Sequence, residues 1–434
     1  MSRMKHTLVT VSIAILITTI TIASEWREDA RAIDISAGEN HTLVLTMNKT
    51  PWACGPNGGP GPYYGVLGTG STNPALIAKT LIRVLGGDMG TQYLQDINDV
   101  EAGWKHSLAL ESYDPSDPNY NGYVWAWGWN SEGQLGVGEG TPDSNVPVRV
   151  LRGDQAPENP NDPDPNLARI IDISAGRSGE HSLAVDANFV YAWGMNQEGQ
   201  LGNGEHGQGV RKLTPIKVKG VGGQGWLANI IAVSAGADHS MALEKIDPNL
   251  NGSVYTWGAN KWPGEGEDYT SGRGKLGNAS VDDLSDTPVV VLSGQQDPNN
   301  PSSLLQNIVA ISAGWNHCMA LEEYDPWDPN LNGRVYTWGS NGEGYGNYQN
   351  PYSIGGRLGN GTYVDSSTPV LVLSGEQDPC SVTSALEHII AISAGRSGQH
   401  SLAVDANGYA YGWGYNKYGQ CGNGESGSFV KDFA

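Results

Sequence analysis

Phenylalanine, cysteine and positive charge are all scarce in this chain. Of 434 residues only 3 are Phe and 4 are Cys, while 25 Lys and Arg face 46 Asp and Glu, a formal net charge of −21. Nucleic acid and anionic membrane would repel so acidic a protein, which excludes them as expected partners. Four cysteines do not make a disulfide framework at this length. Beyond residues 8–22 no stretch is apolar enough to span a bilayer. No long segment keeps a helical period, which excludes a bundle or coiled coil. Also missing are the His-x-x-x-His pair, the Gly-x-Ser-x-Gly elbow, the phosphate loop and Cys-x-x-Cys.

In their place stand 60 Gly, 24 Pro, 14 Trp and 19 Tyr, the composition of many short elements joined by turns. At the N-terminus, Arg3 and Lys5 precede the apolar run, and Thr21-Ile22-Ala23 supplies small residues at a peptidase spacing. Residues 1–24 are expected to be an export signal, with an uncleaved membrane anchor as the alternative. Either places residues 25–434 outside the cytoplasm: secreted, periplasmic or at the cell surface.

A self-similar segment recurs six times: "ISAGENH" ending at His41, "VEAGWKH" at His106, "ISAGRSGEH" at His181, "VSAGADH" at His239, "ISAGWNH" at His317 and "ISAGRSGQH" at His400. After each His comes an alternating run such as "SLAVD", then a "VYTWG"-like run, then "GQLG" or a variant, and usually "TPVVVL" or similar. Each is bounded by Gly, Pro, Asn or Asp, as strands are. Six four-stranded units, each too small to bury a core alone, predict an all-β fold, a β-propeller of six tandem blades, with a solenoid as the weaker alternative. The last unit stops at "GESGSFVKDFA", where a Thr-Pro-Val strand is due.

The succession Ser-Ala-Gly-x-x-His-Ser-Leu-Ala, Val-Tyr-x-Trp-Gly-x-Asn, Gly-Gln-Leu-Gly-x-Gly and Thr-Pro-Val resembles the repeat of the regulator of chromosome condensation family, and residues 173–204 are a nearly complete copy. The resemblance runs through the whole chain after the export signal and suggests an exported, bacterial-type member. It implies a seven-bladed ring, so that six units mean an unusual closure or a truncated member. Cys54 and Cys421 replace commoner motif residues in the first and last units. They would be neighbours in a closed ring, where a bridge could form; buried free thiols are the alternative.

Strand direction alternates within a blade, so the Gly-x-x-His turns and the loops between third and fourth strands share one rim. That rim carries the variation recognition needs. Its turns hold Trp104, Lys105, Arg177, Asp238, Trp315, Asn316 and Arg396; its long loops (56–65, 259–274 and 340–356) carry Tyr63, Tyr64, Trp262, Tyr269, Tyr345 and Tyr348. Aromatic rings in Gly-, Asn- and Ser-rich loops resemble a binding surface. These thirteen residues are the candidate binding site.

On the opposite rim, Asp117-x-Asn119-x-Asn121-Gly122 and its counterparts from Asp247 and Asp328 match the first half of a calcium loop. At the closing position, where a bidentate Glu belongs, stand Gly128, Gly258 and Gly339. Asx turns account for the same residues, and no metal or other cofactor is expected.

The six motif histidines recur once per blade around a ring, whereas catalysis needs unlike groups converging at one place. They are read as turn histidines bonded to nearby backbone, and no catalytic residue is assigned. The family's nucleotide-exchange activity acts on a nuclear partner that an exported acidic chain does not meet. A light-sensing relative clusters tryptophans from Gly-Trp-Arg-His-Thr repeats. Here only Trp104 and Trp315 match, with Lys105 and Asn316 in place of arginine, so photoreception is not expected. An exported enzyme inhibitor of the same propeller type binds its protein target through aromatic loops on one face. The expected function is therefore a non-catalytic scaffold that binds a protein through the Trp/Tyr-rich rim. Carbohydrate or cell-surface binding is the alternative, and an enzyme using the central channel the more distant one.

Overall fold

A computed structural model describes residues 31–424 except 59–64, 74, 118–120, 157–162, 177–179, 248–249, 262–273, 329–330, 343–355, 378–383, 396–399 and 423. The expected export signal lies outside the described residues.

Six antiparallel sheets follow one another as the blades of a β-propeller, each a plain meander in chain order. Blade 1 comprises Ala32–Ala37, Thr42–Thr46, Pro51–Pro56 and Ile77–Arg83; blade 2, Ile97–Ala102, His106–Glu111, Val124–Gly128 and Ser144–Arg149. Blade 3 comprises Ile170–Ala175, His181–Asp186, Val190–Met195 and Arg211–Lys217; blade 4, Ile230–Ala235, His239–Glu244, Val254–Ala259 and Leu284–Val290. Blade 5 comprises Ile308–Ala313, His317–Glu322, Val335–Gly339 and Ser366–Leu371. Blade 6 has three strands among the described residues, Ile389–Ala394, His400–Asp405 and Ala410–Gly414. First strands of consecutive blades touch one another and so form the hub.

The core is a series of slabs, one between each pair of consecutive blades. Leu43, Leu45 and Ala53 of blade 1 pack against Ala109, Trp125 and Trp127 of blade 2. Leu108, Leu110 and Val124 of blade 2 meet Ala184, Tyr191 and Trp193 of blade 3, and the pattern continues to Ala403 and Trp413 of blade 6. The sheets of blades 2 to 5 are thus covered on both faces, with large aliphatic side chains toward the next blade and small ones plus aromatics toward the previous one. Every residue of the second strands of blades 2 to 5 is accordingly buried.

At the ends of the series this cover stops. Leu402 of blade 6 is 36% exposed, whereas Leu43, Leu108, Leu183, Met241 and Met319 at the same repeat position are 0%. On blade 1, Ile35 is 47% exposed, against 1% for Val100 and 2% for Ile173. Cys54 and Cys421 are free thiols, which corrects the bridge considered for a closed ring. Burial pushes the Cys421 thiol up to about 11.

Candidate functional site

The motif that defines the repeat turns out to be a fastener between blades. Nε2 of His41 lies 2.9 Å from Ser107 Oγ in the next blade; His106 and Ser182 are 3.0 Å apart, His181 and Ser240 3.0 Å, and His317 and Ser401 2.9 Å. Each serine hydroxyl donates to a carbonyl of the preceding blade: Ser107 to Val66, Ser182 to Gln134, Ser240 to Gln200 and Ser401 to Arg357. Its proton being committed, each serine accepts from the Nε2–H of the histidine, which sets the tautomer. The same four carbonyls accept a second bond from the next blade's tryptophan indole, at Trp127, Trp193, Trp257 and Trp413, and Trp338 donates in the same way to the Lys275 carbonyl.

The expectation of a turn histidine bonded to nearby backbone is therefore corrected: the partner is a side chain one blade on. Proximity in sequence did not decide it, because the blades stack face to face. The buried Ser–His geometry superficially matches a nucleophile–base pair, but the hydroxyl proton already points at a carbonyl. Between blades 4 and 5, Cys318 replaces the serine, with Sγ 3.2 Å from His239 Nε2 and 3.4 Å from the Lys275 carbonyl. Burial raises this thiol far above its ordinary value, so it is not a ready thiolate.

Glycine is required where these side chains close on the backbone. A Cβ on Gly103 would sit 2.8 Å from the His106 ring. One on Gly136, whose φ is +68°, would sit 2.9 Å from the Trp193 indole nitrogen. Within each blade the Asn of Trp-Gly-x-Asn clamps the following loop; Asn130 Oδ1 accepts from Leu135 N–H and Asn196 from Leu201.

With the motif absorbed by packing, the variable residues stand out. On the candidate rim, the Lys105 ammonium lies 3.5 Å from the Trp104 ring centroid and 3.9 Å from that of Trp129. It also pairs with Glu180 Oε1 of blade 3 at 3.4 Å. Two backbone bonds set this geometry: Trp129 N–H to the Lys105 carbonyl (2.9 Å), and Trp104 N–H to the Gly176 carbonyl of blade 3 (3.2 Å). Trp104, Lys105 and Trp129 are half-buried. Burial pushes Glu180 up to about 7, with Lys105 pulling the other way. Burial likewise raises Glu39, again opposed by Lys105.

Other expected site residues are placed differently. Asp238 does not face the rim: it forms a buried ion pair with Lys275 Nζ at 2.6 Å, the lysine being 0% exposed. Burial alone would raise its carboxyl, but Lys275 and His239 outweigh this and hold it below its ordinary value. Asn316 is 2% exposed and turned inward as well. Both stand in the Gly-x-x-His turn directly before the motif histidine, like Lys105 and Glu180, but little of either is exposed. Trp315 is half-buried, and Ser340 stands where blade 2 has Trp129. Arg177, Arg396, Tyr63, Tyr64, Trp262, Tyr269, Tyr345 and Tyr348 lie outside the described residues.

Three participants were missed in the sequence. Trp129 was hidden inside "AWGWN", Glu180 was passed over within its turn, and Lys275 occupies the usual Gln position of "GQLG". The available signal was departure from the repeat consensus at motif-adjacent positions.

The hub carries a second charged group. Asp34, Asp99 and Asp172 share one repeat position on the first strands of blades 1 to 3. Asp172 accepts Val233 N–H at 2.7 Å, and burial pushes it up to about 7 against that bond, with Glu101 adding to the rise. Burial and the neighbouring carboxylates Asp34, Glu101 and Asp172 hold Asp99 well above the ordinary range. On the far rim, Asp114 and Asp325, three residues before Asp117 and Asp328, form Asx turns by accepting from Ser116 N–H (2.8 Å) and Trp327 N–H (2.9 Å). Asn119, Asn249 and Asn330 are outside the described residues. Among the described residues no group of three or more His, Cys, Asp or Glu is placed to hold a metal.

Comparison with known proteins fits this geometry. The Regulator of chromosome condensation (RCC1) repeat matches residues 121–185 and 188–243, and a second description of the same repeat matches 389–420. The chain is 27% identical over 306 residues to Ultraviolet-B receptor UVR8 of Arabidopsis thaliana, a match spanning 70% of this chain and about half, 51%, of the receptor. It is 27% identical over 412 residues to the Secretion-regulating guanine nucleotide exchange factor of Bos taurus, 90% of this chain and 68% of that protein. Prp20p of Saccharomyces cerevisiae superposes with a TM-score of 0.57 at 21% identity, over 93% of this chain and 75% of that one, a likeness of fold. The chain carries repeats of the regulator of chromosome condensation (RCC1) type.

Proposed function

We propose that this propeller is an exported, non-catalytic scaffold that binds a protein through the rim bearing Trp104 and Lys105. The observation that carries the reading is the Trp104–Lys105–Trp129–Glu180 cluster, which joins blades 2 and 3 at the rim and is not part of the repeat's own fastening. Half-buried tryptophans beside charged groups are the usual anchors of a protein interface. Protein binding by a propeller of this fold has a precedent in Prp20p, described with its binding to Gsp1p and histones. Export rests on the N-terminal segment.

Carbohydrate binding remains as the second reading because Trp327, in the loop after the second strand of blade 5, is 90% exposed and offers a bare ring for stacking. The two are separated by comparing Trp104→Ala, Trp315→Ala and Trp327→Ala in two assays, recovery of proteins from the extracellular fraction and retention on polysaccharides. Loss of protein recovery with Trp104→Ala supports the scaffold. Unchanged recovery in both Trp104→Ala and Trp315→Ala rejects the rim assignment.

A further inference from the structure

We propose that Trp104, Trp129 and Glu180 form a cation-binding cage for an alkylammonium group, and that Lys105 occupies this cage in the free protein as a tethered stand-in. Two indole faces at 3.5 and 3.9 Å and a carboxylate at 3.4 Å surround one ammonium nitrogen. This is the donor set that recognises quaternary and methylated ammonium ligands, since the negative faces of the rings and the acid all favour positive charge.

Several features distinguish the cage from an ordinary surface ion pair. The pair of rings is specific to blade 2: at the Trp129 position the other blades carry Pro56, Met195, Ala259, Ser340 and Tyr415. Nothing in the repeat's packing therefore calls for it. The surroundings remain acidic even with Lys105 in place. Glu39 senses Lys105, and Glu132 adds its charge to Glu180, while Arg211 lies 3.7 Å from Glu132. The Glu180 carboxylate is largely buried, with 6% of its side chain exposed, and a cation in the cage opposes the rise that burial imposes on it. The Lys105 side chain is 20% exposed, so the occupied cage still has an opening at the rim.

An occupant tethered by its own chain competes at high effective concentration, and an outside ligand must displace it. Removing the lysine head should thus create affinity while leaving the walls intact. Whether the ligand is free in solution or carried by a protein, the chemistry is the same, and the cage does not depend on the scaffold reading.

The test uses tetramethylammonium chloride as the free probe, a trimethyllysine peptide as the protein-borne one, and sodium chloride at equal ionic strength as control. Binding is read by tryptophan fluorescence and calorimetry. Lys105→Ala should bind both probes saturably and at least about tenfold more tightly than wild type. Lys105→Ala/Trp129→Ala should lose that binding. Preference for the peptide would assign a protein-borne source, and equal binding a free one. Should Lys105→Ala fold poorly, the wild-type protein supplies the readout by NMR. The Lys105 side-chain protons should be shifted upfield between the two indoles, and excess tetramethylammonium should move them back. No saturable binding to a folded Lys105→Ala protein, equal binding after loss of Trp129, or Lys105 resonances unmoved by the probe would each overturn the proposal.

Discussion

Ser182→Ala is the sharpest test of the fastener. The Ser182 hydroxyl accepts from His106 at 3.0 Å and donates to the Gln134 carbonyl at 2.9 Å, and both side chains are 0% exposed. Alanine leaves the His106 Nε2–H without its hydroxyl partner in a dry interface, which costs about 1–3 kcal/mol. The carbonyl suffers less because it keeps the Trp193 indole N–H at 2.9 Å; losing one of two donors there costs about 0.5–1 kcal/mol. The expected total is about 1.5–4 kcal/mol. Cys318 provides an internal control, since a thiol makes weaker bonds with the equivalent partners between blades 4 and 5, His239 and the Lys275 carbonyl. Cys318→Ala should cost less than Ser182→Ala, and Cys318→Ser should be neutral or stabilising. Urea unfolding followed by tryptophan fluorescence gives the free energies. Hydrogen exchange in strand His181–Asp186 gives a local value if the blades unfold separately. A Ser182→Ala protein within about 0.5 kcal/mol of wild type would refute the reasoning, as would equal costs at Ser182 and Cys318.

Three further outcomes are expected. Gly136→Ala should cost about 2–5 kcal/mol from left-handed backbone plus collision with Trp193, whereas Gly422→Ala, with φ +72° but nothing within 4 Å of its Cβ, should cost only about 1–2; paired urea titrations measure the gap. Lys275→Met should destabilise by about 3–5 kcal/mol because it strands buried Asp238, and adding Asp238→Asn should restore more than half of the midpoint lost. Asp172 binds its proton more tightly when folded than when unfolded, so its contribution to stability is full below about pH 4 and is lost as pH rises through about 7. Unfolding at pH 5 and pH 8 should show wild type weakening toward pH 8, and Asp172→Asn should weaken less.

The strands were legible because their signals are local. Alternation in "HSLAV" and "VYAW", bounded by turn residues, sufficed to place them, and the tandem copies pointed to blades. The shared rim of Trp104 and the Trp-Gly loops followed from strand parity, and the bond from Trp129 N–H to the Lys105 carbonyl agrees with it. What each motif residue binds was not legible. His106 and Ser182 stand 76 residues apart, and Lys105 and Glu180 75, so their partners depend on the stacking of separate sheets.

The amino-acid sequence by itself determined a repeating four-strand meander, the residues at each turn, and a strongly acidic surface. Only the tertiary structure decided that the histidines fasten one blade to the next, that Asp238 and Asn316 point inward, and that Trp129 and Glu180 join Trp104 around Lys105. Periodicity reports which face of a strand a residue takes. The identity of its neighbour comes from face-to-face packing, and there a single departure from the repeat, such as Lys275 for Gln or Trp129 at a position no other blade fills with tryptophan, redirects the contacts.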